Sequence, residues 1–149
     1  MNLTSINSQF TQLAEKSQSW TWPLLRILGA SMFVTHGYGK MFGERAQPFL
    51  SSVRDGAYFF GIDIGVNTMW IAGVIEFYGG LLLVVGLFTR WVALLAAVLM
   101  VMAYMTAHMA WFPTLNRGEL ATMYLLVYLI IFAFGPGKFS LDHKLFGSA

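Results

Sequence analysis

Apolar residues run along this chain in four long blocks, separated by short polar or glycine-containing breaks. A helix needs about 20 mostly apolar residues to cross a hydrocarbon layer. The blocks cover about 23–41, 68–88, 91–112 and 119–135. Trp20 and Trp22 precede the first, where indole rings mark a membrane interface. Pro23 suits a first helical turn, because its missing N–H would be unpaired there anyway. The third block stops at Pro113 and the fourth at the run Gly135-Pro136-Gly137. Only Thr89 and Arg90 separate the second from the third, which forces an antiparallel hairpin. The pattern predicts an all-α fold: an integral membrane four-helix bundle, one domain over 1–149, with a polar tail at 1–19.

The break between the first two blocks is too long for a plain connector. It contains QPFLSSVRDGAYFF, in which Phe49, Leu50, Val53, Ala57 and Phe60 recur at helical spacing. This predicts a short amphipathic helix over 47–60, lying in the interface or folding back as a lid. Small residues recur every three or four positions in the first block (Ser31, Thr35, Gly39) and the third (Ala93, Ala96, Ala97, Ala103, Ala107). That spacing allows close helix–helix approach.

Composition sharpens the picture. Of 149 residues, 57% are hydrophobic and 11% charged. A short chain has too little interior to hide that much apolar surface from water, so the lipid bilayer is the expected solvent. The net charge of +2 is too small to argue for nucleic acid. With no cysteine, the chain has no disulfide, thiolate-bound cluster or thiol relay of its own. The uncharged start followed by a late apolar run does not resemble a cleaved signal peptide. Four spans place both termini on one side. Five basic residues fall on that side (Lys16, Arg26, Arg90, Lys138, Lys144) and four on the other (Lys40, Arg45, Arg54, Arg117). The excess leans towards cytoplasmic termini in a cell inner membrane.

Ionisable residues inside apolar blocks are costly and default to a functional reading. His36, Lys40, Glu76, His108 and Glu119 all fall in the half of the bundle opposite the termini, on four different helices. Glu76 is the deepest and cannot be an isolated anion; it is either protonated or paired. Lys40 and His36 are the natural partners, with Arg26 the alternative if its side chain reaches inward. No His-x-x-x-His or similar spacing supports a metal site. Two histidines at one depth are too weak a pattern to assign a haem. A quinone site needs an apolar slot, donors to carbonyl oxygens and a proton route. His36, Lys40, Glu76, His108 and Tyr104 supply the polar parts; Phe77, Tyr78, Trp111 and Phe112 supply walls. No phosphate-cradling loop, dinucleotide fingerprint or Ser-His-Asp arrangement is present.

The chain resembles the DoxX family of small four-helix membrane proteins over about residues 24–142. The resemblance rests on LLRILGASMFVTHGYGKMFG, GVIEFYGGLLLVVGLFTR, MVMAYMTAH and GPGKFSLD, above all on His-Gly-x-x-Lys paired with Glu-Phe-x-Gly-Gly. It implies a membrane-bound oxidoreductase component, similar to the membrane subunit of thiosulfate:quinone oxidoreductase. The family's recurrent positions fall here on Arg26, His36, Gly37, Lys40, Glu76, Gly79, Gly80, Arg90, His108, Gly135, Pro136, Gly137, Ser140 and Asp142. Its Gly-rich stretch before the fourth span is reduced here to Gly118.

Two functional readings follow. In the first, Glu76, His36 and Lys40 are the catalytic core of a redox-associated or quinone-facing subunit. His108, Tyr104, Phe77, Trp111, Arg26 and Glu119 then bind the ligand, and a soluble or membrane redox partner supplies electrons, because the chain alone cannot store one. In the second, the protein is a non-catalytic scaffold or a binder of a small lipid-like ligand, its buried charges only fixing helix packing. A homo-oligomer is compatible with either. Ser140 or Asp142 is expected to cap a last short turn or to pair with Arg90 or Arg26.

Overall fold

The computed structural model describes residues 2–44, 46–50, 58–59, 62–63 and 65–147. Helix α1 spans Leu3–Met41, α2 Thr68–Val85, α3 Thr89–Ala107, α4 Glu119–Phe134 and α5 Leu141–Phe146. A π-helical turn, Ile75–Gly79, interrupts α2. A 3₁₀ turn, Pro113–Asn116, lies between α3 and α4. Helices α2 and α3 are long and apolar enough to cross a membrane; α4 is apolar but shorter.

Helix α1 begins far upstream of the expected 23. Asn2 caps it by accepting from the backbone N–H of Thr4 and Ser5. The polar tail is therefore the first half of a 39-residue helix, roughly 58 Å long at 1.5 Å per residue. Pro23 sits inside it rather than in its first turn, and is buried. The third span also ends early. Helix α3 stops at Ala107, with His108 as its C-cap, so 108–112 leave the helix axis.

The segment after α1 turns back across the end of α1 and α2. Gln47 N–H donates to Lys40 O (2.7 Å) and Asn67 N–H to Phe49 O (3.0 Å). Leu50 and Val66 form an antiparallel bridge. Strands β1 (Tyr58–Phe59) and β2 (Ile62–Asp63) pair antiparallel, Tyr58 opposite Asp63. The ends of the expected 47–60 helix are thus not helical: its start holds backbone bonds to α1 and α2, and Tyr58–Phe59 is paired as a strand. The middle of that expected helix, 51–57, lies outside the described residues.

The helices associate as two pairs, α1 with α2 and α3 with α4, joined through α2 and α3. In the second pair, buried Ala93, Ala96 and Ala97 of α3 receive Tyr124, Tyr128 and Ile131 of α4. In the first pair glycines let the backbones touch. A Cβ on Gly37 would lie 2.2 Å from Phe77 N, and one on Gly80 2.7 Å from Val34 Cγ2. Gly73 faces Lys40 Cβ at 2.9 Å from its own would-be Cβ. The contact stripe of α1 is therefore Ala30, Val34 and Gly37. The Ser31, Thr35, Gly39 stripe is one position out of phase, and a Cβ on Gly39 would meet nothing within 4 Å. The outer faces carry exposed Leu81, Leu95, Val98, Leu126 and Leu129. Helices apolar on all sides are suited to lipid.

Gly37→Ala is expected to lower the unfolding free energy by about 1–3 kcal/mol through overpacking. Gly39→Ala should leave it unchanged or raise it slightly, since alanine favours a helix over glycine. Thermal unfolding of the two purified variants, followed by circular dichroism, checks the contrast. Equal losses at both positions would contradict the contact.

Candidate functional site

The centre of interest is where α1 meets the π turn of α2. Lys40 Nζ donates to Glu76 Oε1 at 2.6 Å, an ion pair whose Glu76 side chain is 6% exposed and whose Lys40 side chain is 30% exposed. Gly37 and Gly73 make this reach easy by removing the Cβ atoms that would hold the helices apart. The second carboxylate oxygen, Glu76 Oε2, is buried without a hydrogen-bond partner among the described residues. π turns interrupt the regular i→i−4 ladder and recur at functional sites.

Glu76 lines a cavity of about 240 Å³ together with Phe33, His36, Met100, Ala103, His108, Arg117, Leu120, Ala121 and Tyr124. His36 stands edge-on to the Tyr124 ring, centroids 6.0 Å apart. Tyr124 stacks on Tyr128 at 5.9 Å. Both phenol hydroxyls are buried and lack a partner among the described residues, and both rings lie within electrostatic reach of Glu76. On the other side of the ion pair is a second pocket of about 500 Å³, lined by Thr35, His36, Gly39, Lys40, Gly43, Glu44, Gln47 and Met69. His36 lines both spaces. A buried carboxylate oxygen and the Tyr124 hydroxyl, both without a hydrogen-bond partner among the described residues, suit a polar guest or a proton path.

Of the residues expected from the sequence, Glu76, Lys40, His36 and His108 are brought together, the last with its Nδ1 3.0 Å from Asn116 O. Tyr104 is adjacent, but its hydroxyl donates to Ala110 O (2.7 Å), so it braces the 108–118 turn. The remaining four stand apart. Phe77 packs against Phe42 at 5.2 Å and against Tyr38 and Tyr78, outside the cavity. Trp111 is 88% exposed, because α3 has already ended and 108–112 swing outward. Glu119 is exposed in the first turn of α4, where the helix dipole favours an anion.

Arg26 is fully buried at the opposite end of the molecule and is not part of the Glu76 group. Its guanidinium donates to the carbonyls of Leu83, Val84 and Phe139. Helix α2 ends there at Gly86 (φ +71°), where Leu87 N–H returns to Leu82 O. Arg90 repeats the device, donating to Phe132 and Ala133 O at the end of α4. Asp142 accepts from Phe88 and Thr89 N–H (2.8 Å each) and so caps the start of α3. Ser140 caps α5 by accepting from His143 N–H. Ser140 thus caps the short last helix as expected. Asp142 takes backbone N–H groups, and its charge also lies within electrostatic reach of Arg26.

A family model described as DoxX matches residues 21–109 of the chain. The chain belongs to the DoxX family. It is a membrane protein of that family, and the matched span takes in the α1–α2 contact, Lys40, Glu76 and His108. It is also similar to a protein of Haemophilus influenzae described as uncharacterized, 37% identical over 137 residues, which is 89% of this chain and 96% of that one. No solved structure matches the DoxX chain.

Two cavity residues escaped the sequence reading, Tyr124 and Arg117, and Tyr128 stacks behind the first. The two tyrosines, four apart in an otherwise apolar helix, share a face and were the legible signal. Arg117 reaches the cavity from a left-handed backbone position (φ +56°), which no spacing reveals. Asp142→Ala, which strips two backbone N–H groups of their acceptor, is expected to cost about 1–3 kcal/mol of stability. Tyr128→Phe removes an unpartnered hydroxyl and should cost nothing. Denaturation of both variants decides; an equal cost would assign the phenol a structural bond.

Proposed function

We propose that this DoxX protein is a four-span integral membrane protein acting as a quinone-facing, redox-associated subunit of a membrane oxidoreductase complex. The apolar second half of α1 and the short α4 complete the four spans, with both termini cytoplasmic in a cell inner membrane. The observation that carries the reading is Glu76. One carboxylate oxygen is held by Lys40 and the other is buried, unpaired, beside a cavity lined by His36, His108, Arg117 and Tyr124. Reduction of a quinone to a quinol takes two electrons and two protons. A cofactor-bearing partner supplies the electrons. In this reading Tyr124 and Arg117 donate to the carbonyl oxygens, and His36, which lines both the cavity and the second pocket, gives protons a way in. General acid–base groups need to sit within hydrogen-bond reach of the oxygen they serve, which the cavity's size favours.

A non-catalytic scaffold is the rival reading, favoured by the Lys40–Glu76 bond itself, which would fix helix register without chemistry. Mass spectrometry of lipid-soluble molecules that co-purify with the protein separates the two. Wild type is expected to carry quinone, and a folded, monodisperse Glu76→Gln variant to carry at least about tenfold less. Equal quinone in both, or none in wild type, would favour the scaffold.

A further inference from the structure

A second hollow lies against the Glu76 cavity. It is a groove of about 440 Å³ between α1 and α4, walled by apolar side chains that include Leu24, Leu28, Met32, Met123 and Val127. Its origin is mechanical. Helix α1 leans on α2 through the glycine contacts while α4 leans on α3, so the backbones of α1 and α4 stand apart and meet through side chains such as Phe33 on Tyr124 and Tyr128. Gly29 sits at the base of the crevice, where an added Cβ would lie 3.4 Å from Val127 Cγ1. The groove follows α1 from Thr21 to Met32, roughly 16 Å at 1.5 Å per residue.

The groove and the cavity share two lining residues, Leu120 and Tyr124. One end of the apolar groove therefore adjoins the cavity that holds the buried carboxylate, His36 and His108, with Leu120 and Tyr124 at the border. A cavity of ~150 Å³ admits benzene, so the 240 Å³ space fits a substituted ring but not a long chain attached to it. The polar space and the apolar groove have the shape of one amphiphile: a ring at one end, a single chain at the other.

We infer that the α1–α4 groove holds the isoprenoid tail of a long-chain quinone whose ring occupies the Glu76 cavity, so that the ligand enters sideways from the bilayer. This rests on the quinone reading above and adds to it a tail site and an entry route. A phospholipid acyl chain or a second copy of the chain would fill the groove without placing a ring beside Glu76.

The test uses the full-length protein in nanodiscs and a set of 1,4-benzoquinones with one head group and no tail, a short prenyl tail or a long one. Binding is measured to wild type, Gly29→Leu and Glu76→Gln. Gly29→Leu fills the base of the groove and is expected to weaken long-tail binding about tenfold, the scale of one or two lost methylene contacts, while tail-free binding stays unchanged. Glu76→Gln should weaken every member of the set. Unchanged long-tail binding in Gly29→Leu would overturn the tail site and leave the quinone reading standing. No binding of any member to wild type would overturn both. Should Gly29→Leu fail to fold, a long-chain quinone carrying a photoreactive group on its tail gives the same answer in wild type. Cross-links confined to 24–32 and 120–127, and displaced by unlabelled long-tail quinone, support the site. Cross-links spread over all lipid-facing helices, as for a bulk acyl chain, overturn it.

Discussion

The structure depends on one close approach, that of α1 to the π turn of α2. A carboxylate cannot stay charged and alone in an apolar interior, where an unpaired ion costs several kcal/mol. Glu76 is 4% exposed, so it needs a cation on a neighbouring backbone. Lys40 provides it at 2.6 Å, and Gly37, Gly73 and Gly80 remove the side chains that would have kept the two helices apart. Ion pair and glycine contact are thus two aspects of one constraint. Tilting α1 onto α2 also draws it away from α4 and opens the groove between them.

The two ends of the molecule use buried cations differently. At the Lys40 end the partner is a carboxylate, and one oxygen of it is left open beside a cavity. At the other end Arg26 and Arg90 are aimed at carbonyls in the last turns of α2 and α4, where the helix dipole is negative. Trp22 Nε1 adds a bond to Gly135 O (3.2 Å), and Asp142 closes the start of α3. Most of the polar contacts at this end are thus made to backbone groups at helix ends. The chemistry proposed above belongs to the Lys40 end, where a carboxylate oxygen stands open beside a cavity.

The helical blocks were legible because hydropathy and length act through the whole of a long segment. Helix ends were less so. The start of α1 is decided by the Asn2 cap, and the end of α3 by a single residue leaving helical geometry at His108. The Lys40–Glu76 partnership followed from depth along the helices and from burial energetics. Arg26 stands apart from the Glu76 group: an apolar-span argument treats every buried cation as a site residue, whereas carbonyls at a helix end can take up both terminal nitrogens of a guanidinium. Residue type alone points to Trp111 and Phe77 as walls; facing depends on where α3 stops and on the phase of the π turn. Tyr124 and Tyr128 required knowing that α4 turns that face towards Glu76.

Charge exchange across the contact tests the central constraint most directly. Lys40→Glu and Glu76→Lys each place two like charges side by side, and each is expected to reduce sharply the fraction of protein recovered folded and monodisperse by size-exclusion chromatography. The two together restore an opposite-charge pair at the same glycine-lined junction and should recover more folded protein than either alone. A combined variant no better than the worse single exchange would contradict the pairing of Lys40 with Glu76 as what holds α1 to α2.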